Sequence, residues 1–166
     1  MRCTTLGLLA ALLLPLSPAP AAETPGRVEQ EAFAYESPAG WTVFKDEKLS
    51  NFSLLGFFNA EGEVMQLSVS GKLTTEQYTG ARSRLQAVDR QPERQGWRLA
   101  AATIVELPPF GSVSESVHYD NAYSLTSYSY SVFGPERIAL ITITFKGIKP
   151  EAAAAARRLV GGLRWK

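Results

Sequence analysis

Cysteine and histidine are nearly missing from this sequence, with one of each in 166 residues. The cysteine is Cys3, which precedes the apolar run in "MRCTTLGLLAALLLPLSPAPAA". A bacterial lipoprotein carries its modified cysteine just after such a run, so the position of Cys3 argues against lipid attachment by that route. Beyond Cys3 there is no thiol, which excludes disulfides and cysteine-ligated metal from the folded domain. A lone His118 cannot satisfy zinc-like ligation unless several carboxylates converge on it from distant segments. The short acidic pairs Asp46-Glu47 and Glu61-x-Glu63 lack the spaced ligands of a calcium loop and read as solvated turn residues. No metal and no cofactor is expected.

An excess of either charge is also missing. Lys and Arg number 17 against 16 Asp and Glu, and no basic cluster or basic helix interrupts the balance. Nucleic acid and anionic membrane are therefore poor partners. Gly-rich phosphate loops are absent, because Gly161-Gly162 ends a helical pattern where phosphate would need one to begin. The single long apolar run is broken by Pro15, Pro18 and Pro20, too soon to span a bilayer.

What is present begins with that run. One Arg, an uncharged Leu/Ala stretch and the small-x-small site Ala19-Pro20-Ala21 read as a secretory signal peptide over residues 1–22, with an uncleaved anchor as the alternative. Residues 23–31 are polar, carry Pro25-Gly26 and read as a flexible lead-in. Residues 32–166 form a single domain, long enough to bury an ordinary core. A small exported chain without disulfides points to the bacterial periplasm, with an extracellular location as the runner-up.

The domain opens with "FAYESPAGWTVFKD", two strand-like pieces around a Pro38-Ala39-Gly40 turn, with Trp41 placed to anchor that turn to the core. "NFSLLGFFNAEGEVMQLSVSGKL" is a hairpin signal about Asn59–Glu63. At Thr74 the period lengthens from two to about three and a half. Thr74 with Gln77 spells a capping box, Leu73 and Tyr78 stand at the staple positions, and Tyr78, Ala81, Leu85 and Val88 form the buried stripe of a helix. Strands follow near 98–107, 112–120, 123–133 and 137–146. Ile138 to Phe145 is apolar on both faces, the mark of a central strand covered on both sides. A last helix starts after Pro150 and stops at Gly161-Gly162, with Leu159, Val160 and Leu163 docked on the sheet. The sum is an α+β domain: a mainly antiparallel, twisted sheet of six or seven strands packed by two helices.

"FAYESPAGWTV", "MQLSVSGKL", "TTEQY", "ALITITF" and "LVGGLRW", in that order, resemble the PsbP-like fold. That fold is shared by the photosystem II extrinsic protein, the Ran-binding Mog family and bacterial periplasmic relatives. The resemblance covers nearly the whole mature chain and implies a sandwich that works as a binding or assembly module without catalysis. It carries no catalytic motif.

"ESVHYDNAYS" holds the one histidine beside a serine and an aspartate. On a strand, Ser114, Ser116, His118 and Asp120 share one face, while Val113, Glu115, Val117 and Tyr119 take the other. Residues two apart on a face stand ~7 Å from each other and residues four apart ~13 Å, beyond the reach of a nucleophile and its base. No G-x-S-x-G pattern supplies a nucleophile elsewhere, so an enzyme is the weakest reading. The tyrosine-rich meander is the least ordinary feature. Tyr119, Tyr123, Tyr128 and Tyr130 are the candidate binding residues for a protein partner, since tyrosine pairs a large apolar ring with a hydroxyl. The competing reading packs these cross-strand tyrosines under a helix, with their hydroxyls at the rim.

Three functions fit: a binding or assembly module for a protein partner, an immunity or inhibitor protein capping an exported toxin or hydrolase, and a carrier of a small apolar ligand. Export removes residues 1–21 or 1–22 in all three. N-terminal sequencing of the exported product should therefore start at Ala22 or Glu23, and a start at Met1 contradicts the leader.

Overall fold

The computed structural model describes residues 26–86 and 96–166. The expected leader, residues 23–25 of the lead-in, Val88 and the side chain of Leu85 lie outside the described residues. Among the described residues, ten strands and two helices run in the order β1 (Arg27–Glu29), β2 (Phe33–Glu36), β3 (Trp41–Lys48), β4 (Phe52–Asn59), β5 (Val64–Ser70), α1 (Thr75–Gln86), β6 (Trp97–Leu107), β7 (Gly111–Asp120), β8 (Leu125–Gly134), β9 (Arg137–Lys146), α2 (Ala152–Val160) and β10 (Leu163–Trp165). β3 to β9 build a seven-stranded antiparallel sheet in the order β3-β4-β5-β9-β8-β7-β6, and β1, β2 and β10 build a second sheet of three. The architecture is the expected α+β one.

Alternation along each strand sorts the large sheet into two faces. Leu55 and Phe57, Met65, Leu67 and Val69, Ala139, Ile141, Ile143 and Phe145, Tyr128, Tyr130 and Val132, and Val113 are all buried on one of them. The register aligns them into continuous rows, such as Phe57 with Met65, Met65 with Ile143 and Ile143 with Tyr128. α2 closes this inner face. Its Ala152, Ala156, Leu159 and Val160 are buried, and the small alanines let the helix approach the sheet closely. Leucine-sized burial at each row contributes about 2 kcal/mol, so this face holds most of the stability.

The three-stranded sheet joins the two ends of the domain over the same core. β2 lies in its middle, paired with β1 through Val28 opposite Tyr35 and with β10 through Leu163 opposite Tyr35. The lead-in expected over 23–31 is thus partly strand: Arg27–Glu29 pair with Ala34–Glu36, and ion pairs from Arg27 to Glu29 and Glu36 accompany the ladder. Its polarity hid this, because an edge strand needs one backbone ladder and little apolar content. Gly162 enforces the closeness of the two ends. A Cβ there would meet the Glu36 carbonyl oxygen at 2.2 Å.

α1 is held differently. The Thr74 amide donates to Gln77 Oε1 at 2.9 Å and the Gln77 amide to Thr74 Oγ1 at 3.2 Å, the expected capping box. Leu73 is tied by its amide to the Glu136 carbonyl at 2.9 Å, and Lys72 pairs with the Glu136 carboxylate at 2.8 Å. Tyr78 meets Phe133 edge-on with ring centroids 5.6 Å apart, and Arg82 lies over the same ring at 5.8 Å. α1 therefore leans on the β8–β9 end of the opposite, outer face. None of its described side chains is fully buried.

Candidate functional site

The outer face differs from the inner one in being only partly covered. Leu140 projects from β9, the middle strand of the seven, yet is 51% exposed. The expectation of a central strand sheltered on both sides is therefore corrected: α2 and the small sheet seal one side, and α1 reaches only one end of the other. Phe52 on β4 is also exposed, and Ile138 and Leu54 are half-buried.

Farther along the same face, the pairing of β3 with β4 slips between Val43 and Lys45, leaving Phe44 as the extra residue of a bulge. Its ring lies across Gly56, where a Cβ would come within 2.6 Å of it, and tilts against Phe58 at 6.1 Å between centroids. Gly56 is thus the space in which Phe44 rests. Phe44 is 51% exposed and Phe58 42%, so the pair forms an open aromatic shelf. Single exposed apolar side chains are ordinary on any surface. Phe44, Phe52, Phe58 and Leu140 lie on one sheet face, with half-buried Leu54 between the phenylalanines and Ser68 between Leu54 and Leu140, and clustered apolar exposure marks interaction sites.

Between α1 and the sheet the patch deepens into a groove of about 500 Å³. Phe52, Leu73, Ala81, Ile138 and Leu140 supply its apolar walls, and Asn51 and Gln77 lie among its polar lining. The Gln77 amide oxygen and the Ser70 hydroxyl are already engaged, one in the helix cap and the other accepting from the Ile138 amide at 3.0 Å. What remains is apolar contact area, suited to holding a side chain or chain of methylenes. It offers no pair of activated groups for chemistry.

The tyrosine cluster does not form a surface. Tyr128 and Tyr130 are 8% and 1% exposed, which corrects their assignment as binding residues. Each faces inward from β8, Tyr128 edge-on to Phe145 at 5.9 Å and Tyr130 opposite Glu115 and Ile141. The competing reading, packing under cover, describes their rings, but the Tyr130 hydroxyl is itself buried and does not reach the rim. Tyr119 is half-buried on β7, while Tyr123 stands 77% exposed in the β7–β8 turn, so the four are not brought together. Asp120 is buried, and its Oδ1 accepts from the Ala122 and Tyr123 amides at 2.9 and 3.2 Å. It shapes that turn and is not a solvent-facing neighbour of His118. His118 itself is half-buried, opposite Leu99 and Ser127.

Two charged groups missed by sequence reasoning are structural. Glu115 sits on the inner face of β7, 4% exposed, and accepts two hydrogen bonds of 2.8 Å from Arg157 Nε and Nη2 on α2. Burial pushes the Glu115 carboxyl up, but the hydrogen bonds and charge of Arg157 outweigh it and leave it below the ordinary glutamate value. Burial and the adjacent Glu115 carboxylate push the Tyr130 hydroxyl up, so it stays protonated. Glu63, expected in a solvated turn, is instead buried, bonded to Asn59 Nδ2 at 2.8 Å and to Lys149 Nζ at 2.6 Å. It ties the β4–β5 hairpin to the entry of α2. Among the described residues no group of three or more His, Cys, Asp or Glu could hold a metal, and no helix is long and apolar enough to cross a membrane.

With fold and face described, the relation to known proteins is clear at one level. No protein-family model and no curated protein sequence matches the chain. Among solved structures it is similar to the solution structure of cyanobacterial PsbP (CyanoP) from Synechocystis sp. PCC 6803, with a TM-score of 0.54 and 12% sequence identity. The match covers 92% of this chain and 99% of that one. The fold is therefore PsbP-like, as the order of the sequence motifs implied.

Replacing Arg157 with Met tests the inner-face pair. It leaves Glu115 buried without its cation and should cost about 2 kcal/mol, less than a fully buried pair because Arg157 is itself part-exposed. The native Glu115 value is depressed, so the pair's contribution is complete above the unfolded value of 4.5 and fades as pH falls through the folded one. The variant should be weakest near neutral pH, with its deficit shrinking in acid. Urea unfolding of both proteins from pH 3 to 7 checks this, and a pH-independent difference contradicts it.

Proposed function

We propose that this chain is an exported, non-catalytic binding or assembly module of the periplasm, and that it grips a protein partner with the outer face of its seven-stranded sheet. The observation that carries this reading is Leu140, half-exposed at the centre of the sheet on the same face as Phe52, Phe44 and Phe58. Leaving such area wet costs about 25 cal/mol per Å², and a partner recovers it on binding. The N-terminal leader supports export, and the resemblance to extrinsic and periplasmic PsbP-like proteins supports a binding role. An immunity or inhibitor protein would need the same single face and differs only in what it caps.

The groove beneath α1 favours a second reading, the carrier of a small apolar ligand, since about 500 Å³ is room for a short acyl chain or an aromatic compound. A native mass above that of the chain would mark a carrier. To test the first reading, a photo-crosslinking amino acid is placed at position 140 and, as a control, at the exposed position 164 on β10. Crosslinking in cells should yield a discrete protein adduct from 140 and none from 164. Equal adducts from both sites, or none from 140, contradict the outer face as the contact.

A further inference from the structure

Because neighbouring strands of the large sheet are antiparallel, its connections gather at two ends. One end collects residues 37–40 before β3, the β4–β5 hairpin, the β7–β8 turn and residues 147–151 between β9 and α2. The pairings of Trp41 with Asn59, Phe58 with Val64, Val64 with Thr144, and Leu125 with both Asp120 and Lys146 place them together. Tyr123 and Ile148 project from two of these connections. Each is 77% exposed, more than any other large apolar side chain among the described residues.

The two connections are tied into one unit. The Gly147 amide donates to the Ser124 carbonyl at 2.6 Å, and the Thr126 hydroxyl donates to the Gly147 carbonyl at 2.7 Å. Ser124 and Gly147 take φ of 51° and 74°. The left-handed region is unfavourable for serine, yet the turn that presents Tyr123 keeps it there. Charge at this end is largely spent internally. The four connections carry Glu61, Glu63, Lys149 and Glu151, and Lys149 pairs with Glu61 at 2.8 Å and with Glu63 at 2.6 Å.

The described chain also begins at this end. Gly26 donates to Ser37 Oγ at 3.1 Å and accepts from the Ser37 amide at 2.8 Å, beside the Trp41 carbonyl at the start of β3. From Ala22, the last residue of the expected leader, the chain to Gly26 can reach no more than about 17 Å. A leader lodged in the export membrane therefore keeps this end of the sheet close to the bilayer.

We propose that this end is a membrane-facing surface, with Tyr123 and Ile148 dipping into the headgroup layer of a zwitterionic bilayer while the leader tethers the chain. Tyrosine suits that layer, having an apolar ring and a hydroxyl that stays wet, and Ile148 adds apolar area beside it. Two side chains hold a free domain only weakly, so the tether supplies local concentration and the two tips supply orientation. The strands then stand up from the bilayer and leave the outer face open along their length. The inference rests on the export leader and is independent of what the outer face binds.

The test uses the full chain with Cys3→Ser, so that single cysteines can be labelled, in phosphatidylcholine vesicles carrying spin-labelled lipid. A dye at Tyr123→Cys or Ile148→Cys should be quenched at least about threefold more than one at Leu49→Cys, since only the first two sites enter the headgroup layer. Leu49 is a fair control, 45% exposed in the β3–β4 turn at the opposite end. Ile148→Asp should bring the dye at 123 down to the level at 49, and adding phosphatidylglycerol should not strengthen the quenching. Flotation with the vesicles reads the tether separately. A chain that does not float overturns the proposal through the leader. A chain that floats with positions 49, 123 and 148 quenched alike overturns it through the domain. Positions 123 and 148 that stay unquenched by lipid but crosslink to a protein in cells would make this end a protein contact, which also overturns it.

Discussion

One face of the seven-stranded sheet is sealed and the other is not, and most of the rest follows from that asymmetry. The seal is a clasp formed by both ends of the domain. Tyr35 of β2 donates from its hydroxyl to the Leu159 carbonyl of α2 at 2.8 Å, tilts its ring against Phe57 at 4.9 Å between centroids and pairs through its backbone with Leu163 of β10. Fully buried, its hydroxyl is pushed up by desolvation and serves only as a neutral donor. One side chain thus links the N-terminal strand, the C-terminal helix and the middle of the sheet. The Glu115–Arg157 and Glu63–Lys149 pairs hold the same helix from two other directions.

With α2, the more tightly docked of the two described helices, spent on the inner face, the outer face depends on α1. That helix is well started by its capping box but anchored mainly at the β8–β9 turn, through Leu73, Lys72 and the Tyr78–Phe133 contact. It roofs one end of the sheet and leaves Leu140, Phe52 and the Phe44–Phe58 shelf uncovered. A sheet of seven strands is wider than one short helix, so the opening is a consequence of geometry. Leu140 stands there between Ser68 and Ser131, so exposed apolar side chains interrupt a face otherwise lined largely by hydroxyls.

Local features were legible in the sequence because they depend on neighbours along the chain. The Thr74–Gln77 box, the Asn59–Glu63 hairpin and the stop at Gly161-Gly162 each lie within a few residues. The order of such features implied the PsbP-like fold. Illegible were features that require two distant segments to meet. Glu115 finds Arg157 only when α2 crosses β7, although a lone carboxylate among Val113 and Val117 was the available hint. The same alternation put Tyr128 and Tyr130 on one face with Val132 but could not say which face was sealed. Leu140 shows the converse error: an apolar pattern on both sides of a strand reads as double cover, whereas here one side is half-exposed. Tyrosine density pointed to the meander, while the exposed area lies on leucine and phenylalanine one to four strands away from β8.

The central claim is that the outer face of the sheet is the contact surface, and the two faces of single strands offer the sharpest test. Side-chain resonances of Leu140 and Ile138 report the outer side of β9, and those of Ile141 and Ile143 report the inner side of the same strand. Adding the crosslinked partner to isotopically labelled protein should shift Leu140, Ile138 and Phe52 strongly and leave Ile141 and Ile143 nearly in place. Shifts concentrated on α2, the three-stranded sheet or the Tyr123 turn, with Leu140 unmoved, would contradict it.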